Sequence, residues 1–241
     1  MLIFEIWLSC ATQNIRRIAI LTYNSDSLEN FDLARVLKFL PGIILGLTVH
    51  EFCHAWVAHL CGDSTSKDMG RVTLNPLKHI DLLGFIFLIF AGFGWAKPVQ
   101  FNEQNLRDPK TDVIKIALAG PLSNAVLAMV ISVIFSVYSS QMPIYQGSGM
   151  QIISEVFLYT IYINWGLFIF NLIPLPPLDG SHLLFYQLRR YPLFYDGLYK
   201  YGSLLLIGLL IATAVTKINF LPIMPAIRFL AEGFLSLVGY R

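Results

Sequence analysis

Residues 40–60 read Leu40-Pro-Gly-Ile-Ile-Leu-Gly-Leu-Thr-Val-His50-Glu51-Phe-Cys-His54-Ala-Trp-Val-Ala-His-Leu60. The stretch matches the about 20 apolar residues that a helix needs to cross a bilayer core. Three polar side chains, His50, Glu51 and His54, nevertheless fall within little more than one turn at its centre. A helix rises about 15 Å from Leu40 to His50, which places His50 near the bilayer midplane. An ionisable group there costs at least ~2.5–3.5 kcal/mol on insertion scales, so the turn is expected to persist only where it does chemistry. Histidines spaced this way share one helix face about 5–6 Å apart. Both can then reach one zinc ion at about 2.0–2.1 Å. Glu51 falls on the neighbouring face, where it can touch a water beside the metal, so H-E-x-x-H divides into two ligands and one general base. The competing reading is a satisfied structural histidine pair.

Outward from this segment, composition points the same way. Of 241 residues, 56% are hydrophobic and 13% charged, against about 25% charged in a typical soluble chain. Lipid is therefore the expected solvent for much of the surface. A net charge of +2 gives no reason to expect a nucleic-acid partner. Cys10, Cys53 and Cys61 show no metal-type pairing and imply no disulfide framework. Arg16 and Arg17 follow the first apolar stretch, the reverse of a cleaved signal.

Further apolar runs follow at Ile116–Tyr138, Val156–Ile173 and Leu198–Thr216. Leu82–Ala96 is uncharged but short and carries Gly84, Gly92 and Gly94, so it reads as a re-entrant or interfacial element. Residues 218–240 are apolar but broken by Pro222, Pro225, Arg228 and Glu232. The expected fold is an all-α membrane protein, a polytopic bundle of about four to six transmembrane helices. Its divisions are an N-terminal extension (1–30), a core (31–216) and a C-terminal hydrophobic segment (217–241). Basic residues concentrate in 61–111 and 186–200 and are absent from 139–151. The positive-inside rule then puts the first two regions in the cytoplasm and the third outside. Arg35 and Lys38 are a minor exception. Trp95 suits an interface anchor, and His59 and His79 fall near the cytoplasmic boundary, where solvated or interfacial roles are the default.

A zinc hydrolase keeps three protein ligands and leaves the fourth position open. The best third ligand is Asp179, in Asn171-Leu-Ile-Pro-Leu-Pro-Pro-Leu-Asp-Gly180. Pro174, Pro176 and Pro177 cannot continue a helix, so the preceding span unwinds where a carboxylate appears. Such backbone is tolerated at membrane depth only inside protein or beside a water-filled cavity. The alternative is a proline-rich loop in which Asp179 caps the next helix. His182 fits a supporting or capping place, and Cys53 a packing one.

The ordered series His50-Glu-Phe-Cys-His54, Leu74-Asn75-Pro76-Leu77-x-His79-x-Asp81, Gly94-Trp-Ala-Lys-Pro-Val99, Ala119-Gly-Pro-Leu-x-Asn124 and Asn171-x-x-Pro-x-Pro-x-Leu-Asp179-Gly180 resembles the site-2 protease family of intramembrane zinc metalloproteases. The likeness covers residues 31–216 and is closest to the minimal subgroup without PDZ or CBS domains. It departs at Leu82, where the family often has proline, and residues 1–30, with the polar patch Asn24–Ser27, match nothing. The resemblance implies one zinc per chain on His50, His54 and Asp179, with Glu51 as catalytic base. It also implies that Asn171 and Asn124 help hold substrate. Expected partners are the lipid bilayer and single-span membrane-protein substrates. The expected location is the cell membrane, a bacterial inner membrane, multi-pass, with the active site open to the cytoplasm. Two other classes compete. A CAAX-processing zincin would want a downstream glutamate ligand, from among Glu103, Glu155 and Glu232. A non-enzymatic metal carrier would not need Glu51.

Overall fold

A computed structural model describes residues 33–91, 94–141, 148–188, 191–216 and 220–240. The expectations for residues 1–30 lie outside them. Seven helices of nine or more residues carry the described chain: α1 (Leu33–Leu60), α2 (Leu82–Ala91), α3 (Pro109–Gln141), α4 (Ser148–Asn171), α5 (Gly180–Leu188), α6 (Pro192–Thr216) and α7 (Ile223–Leu237). Among the described residues no strand forms; Ile80 and Ala96 make an isolated antiparallel bridge. The protein is an all-α membrane protein, and three of its described helices, α1, α3 and α4, are long and apolar enough to cross a bilayer.

These three pack on one another. Helix α1 begins well before Leu40, because Val36, Phe39 and Ile43 bury one stripe against Leu158, Tyr159 and Ile163 of α4. Burial of that stripe outweighs the single backbone bond lost at Pro41. Lys38 and Glu155 pair at 2.6 Å across the same contact, which accounts for a basic residue at the unexpected end. Gly42 and Gly46 let the two backbones close. A Cβ on Gly42 would stand 2.8 Å from Thr160 Cα, and one on Gly46 2.8 Å from Asn164 Oδ1. This is the small-xxx-small spacing that joins helices where burial against lipid supplies no drive.

Two shorter helices differ from full crossings. Helix α2, at 10 residues, spans only about 15 Å. The Ile80–Ala96 bridge brings the two ends of its segment side by side, as a re-entrant element requires. Glycine permits the return: a Cβ on Gly84 would lie 2.2 Å from the Trp95 carbonyl oxygen. Helix α7 has 15 residues, about 22 Å, too short for a fifth crossing. Its Ile227, Ala231 and Leu235 are buried in the main core while Phe229 and Leu237 are exposed. Helix α6 has 25 residues and packs on α5, with Gly202 against Pro176.

Candidate metal centre

Helix α1 carries the site. His50 and His54 are buried, and their Nε2 atoms lie 3.0 Å apart. His50 Nδ1 donates to Asn124 Oδ1 at 2.6 Å, and His54 Nδ1 donates to the Ile116 carbonyl at 2.7 Å. The direction of the first bond is set by a relay of amides. The Thr160 carbonyl accepts from Asn164 Nδ2 (2.8 Å), so Asn164 Oδ1 faces Asn124 Nδ2 (2.9 Å). Asn124 Nδ2 also reaches the Gly46 carbonyl at 3.0 Å, which leaves only its oxygen for His50. With both Nδ1 atoms protonated, the two Nε2 lone pairs face inward.

Asp179 completes the convergence. After α4 the proline-rich segment, with a cis Pro176–Pro177 peptide, folds back tightly, and a Cβ on Gly180 would meet the Leu172 carbonyl at 2.4 Å. The turn delivers Asp179 Oδ2 to 3.1 Å from His50 Nε2 and 3.3 Å from His54 Nε2. The alternative of Asp179 as a helix cap does not hold: its carboxylate faces the histidines, and no amide of α5 donates to it among the described residues.

Three acceptor atoms thus crowd one point, and Asp179 Oδ2 is buried without a hydrogen-bond partner. A shared proton can join one pair but not all three, whereas a cation satisfies the set. Ligand atoms at about 2.0–2.1 Å from a tetrahedral zinc are separated by about 3.3 Å, close to the spacing found. The residues therefore fit zinc. Helix α3 closes one side: a Cβ on Gly120 would sit 2.3 Å from His54 Nε2 and 2.7 Å from His50 Nε2.

Glu51 is buried, and its Oε2 accepts from the Val99 backbone N–H at 3.1 Å. Val99 ends the Gly94–Val99 run, so the polar segment between α1 and α3 lies against the face of α1 next to the histidines. Asn124 is fully buried, with both amide atoms spent on protein groups. Asn171 Nδ2 donates to Leu167 in its own helix at 3.0 Å. His79, expected to be solvated or interfacial, is instead fully buried. Its Nε2 donates to the Thr73 carbonyl at 2.7 Å, and burial holds its pKa below the ordinary histidine range. His59 stays polar, within reach of Ser64 and Lys67. The ring of His182 lies beside Phe101. Asn164, Gly120 and the Ile116 carbonyl were not singled out from sequence. Asn164 could have been, since an amide in an apolar span needs a buried partner.

A model of peptidase family M50 matches residues 38–150 and 135–209. The chain belongs to that family. This is the site-2 protease family that the motif series resembles. The chain is 40% identical over 145 residues to YwhC of Bacillus subtilis (strain 168), covering 59% of this chain and 65% of that protein. It is 29% identical over 146 residues to Rip2 of Mycolicibacterium smegmatis, covering 58% and 53%. MJ0611 of Methanocaldococcus jannaschii is 28% identical over 159 residues, covering 66% and 74%. All three are named as candidate zinc metalloproteases. The chain thus spans just under two thirds of the length of YwhC and about half that of Rip2. No solved structure matches it. Family and relatives agree on zinc as the cofactor, and the His50, His54 and Asp179 group fits it.

Proposed function

We propose that this M50 protein is a zinc-dependent endopeptidase that cuts peptide bonds in or near transmembrane helices. One observation carries the reading: two histidine lone pairs of a membrane-length helix and a carboxylate oxygen brought from the segment after α4 meet within 3.3 Å, and a buried glutamate follows the first histidine. A carrier would not need that glutamate. A CAAX-type site would need a glutamate ligand, yet the trio is complete without one. Glu155 is paired with Lys38, and Glu232 accepts from Tyr162 at 3.4 Å.

When bound, zinc supplies Lewis-acid polarisation and a more acidic water. His50, His54 and Asp179 would hold it. Asn124 and the Ile116 carbonyl keep both imidazoles in the tautomer that offers Nε2. Glu51 takes the proton of the attacking water and returns it to the leaving amine. In this reading Asn124 serves His50, while Asn171, the last residue of α4, is the asparagine that would meet substrate.

Ten residues separate His50 from Leu60, about 15 Å of rise. Water would enter from that end, where residues 61–73 and 94–108 are largely polar. That end carries the basic loops, so the active site would open to the cytoplasm of a multi-pass cell-membrane protein, a bacterial inner membrane by the expectation above. Substrates would be single-span proteins whose helices open easily, since a helix conceals its carbonyls in its own bonds. Glu51→Gln tests the chemistry. It should keep zinc and fold but lose nearly all cleavage of a single-span peptide in liposomes; activity within about tenfold of wild type would exclude Glu51 as the base.

A further inference from the structure

Arg71 sits in the polar segment between α1 and α2, and its side chain is only 10% exposed. Withdrawing a guanidinium that far from water costs several kcal/mol unless an anion and hydrogen bonds offset it. The acid within ion-pair reach is Glu51, with Arg71 Nη2 at 4.0 Å from Oε2. The same Nη2 donates to the Lys97 carbonyl. Lys97 is held on its other side too, its N–H donating to the His79 carbonyl at 2.7 Å. Two residues on, the Val99 N–H donates to Glu51 Oε2. Arg71 therefore reaches one carboxylate oxygen by two routes: directly by charge, and through the segment that carries the Val99 donor. Glu51 Oε1 is left with no protein donor among the described residues.

We propose that Arg71 is a positioning residue for the general base, fixing Glu51 in one rotamer with Oε1 presented to the attacking water. The inference rests on the peptidase reading above. A glutamate side chain free to rotate samples many conformers, and proton transfer needs its oxygen within about 2.6–3.2 Å of the donor. The metal ligands do not supply that restraint, since they touch one another, Asn124 and Ile116 rather than Glu51. A lysine would keep the charge but carry it as a compact ammonium on a flexible stem, without the planar guanidinium that sets Nη2 between Lys97 and Glu51.

The test uses the full chain with zinc restored and a dye-labelled single-span peptide in liposomes. It compares Arg71→Gln, Arg71→Lys, Glu51→Gln and the Arg71→Gln/Glu51→Gln double variant. Arg71→Gln should keep wild-type zinc content and KM and lose about 10²-fold in kcat. Arg71→Lys should recover part of that loss. In the double variant Arg71→Gln should add nothing, because no base is left to orient. Cobalt(II)-substituted protein supplies a readout that needs no cleavage: Arg71→Gln should alter the visible spectrum as Glu51→Gln does. Zinc loss parallel to the kcat loss would make Arg71 a structural prop, and raised KM with intact kcat would make it a substrate contact. An additive double variant, or an unchanged cobalt spectrum in Arg71→Gln, would break the link to Glu51. Each of these results overturns the proposal. A zinc-loaded wild type that cuts no peptide overturns the peptidase reading instead, and the cobalt comparison then still decides the role of Arg71.

Discussion

The two imidazoles and the proposed general base fall within five consecutive residues of α1, His50 to His54, yet they are held by different kinds of structure. His50 and His54 are fixed from inside the helical bundle, by Asn124 and the Ile116 carbonyl on α3, with Asn164 of α4 behind Asn124. Glu51 is fixed from the polar segment, by the backbone of Val99 and the charge of Arg71. A zinc ligand needs one lone pair aimed permanently at one point, which close-packed helices supply. A base must face both a water and an incoming chain, which requires an open side and hence a loop. Asp179 stands between the two cases: its carboxylate reaches the histidines from an irregular segment, but one so tightly turned that only glycine fits after it.

Truncating the ligands should have the largest effect, and it checks whether Asp179 belongs with the helical ligands. His50→Ala, His54→Ala or Asp179→Ala leaves two donors, too few for a tight site. Zinc should fall from one per chain to near zero by metal analysis, and cleavage with it. Full retention in Asp179→Ala would remove it from the ligand set.

Gly120→Ala tests the bundle side alone. Its methyl would enter the space around both Nε2 atoms, 2.3 Å from that of His54. Neither backbone can retreat without breaking the α1–α3 contact, so zinc should be lost while helix content by circular dichroism stays. Normal zinc content would show that α3 can shift there.

Asn124→Ala should act more mildly, because it removes only the group that orients His50. Outer-shell partners of this kind are worth about 10–100-fold in metal affinity or activity. Competition with a zinc chelator measures that loss. Asn164→Ala should follow with a smaller one, and an equal or larger effect of Asn164 would mean that the relay orders the helices rather than the imidazole.

The open side predicts the smallest change. One model substrate, carrying Gly or Leu beside the scissile bond, should be cut faster in the glycine form. Glycine weakens a helix by about 1 kcal/mol relative to alanine, enough for a several-fold change in rate in liposomes. Equal or faster cleavage of the leucine form would show that helix opening does not limit turnover.

Much of this architecture was legible in the chain. Apolar runs of membrane length announce helices, because a backbone in lipid must satisfy its own hydrogen bonds. Three polar residues in one turn of such a run mark the site, and H-E-x-x-H has a spacing local enough for one helix to realise alone. The glycines of 82–96 likewise foretold a segment that turns back. What tertiary structure alone decided lies in relations across distant segments. Asp179 could cap a helix or join the histidines until the turn after α4 aimed it. Asn124 serves His50 because the Asn164 amide fixes its orientation. Gly120, Arg71 and His79 matter through what they touch, and neither periodicity nor motif spacing encodes a contact between backbones or a charge brought to a carboxylate from another segment.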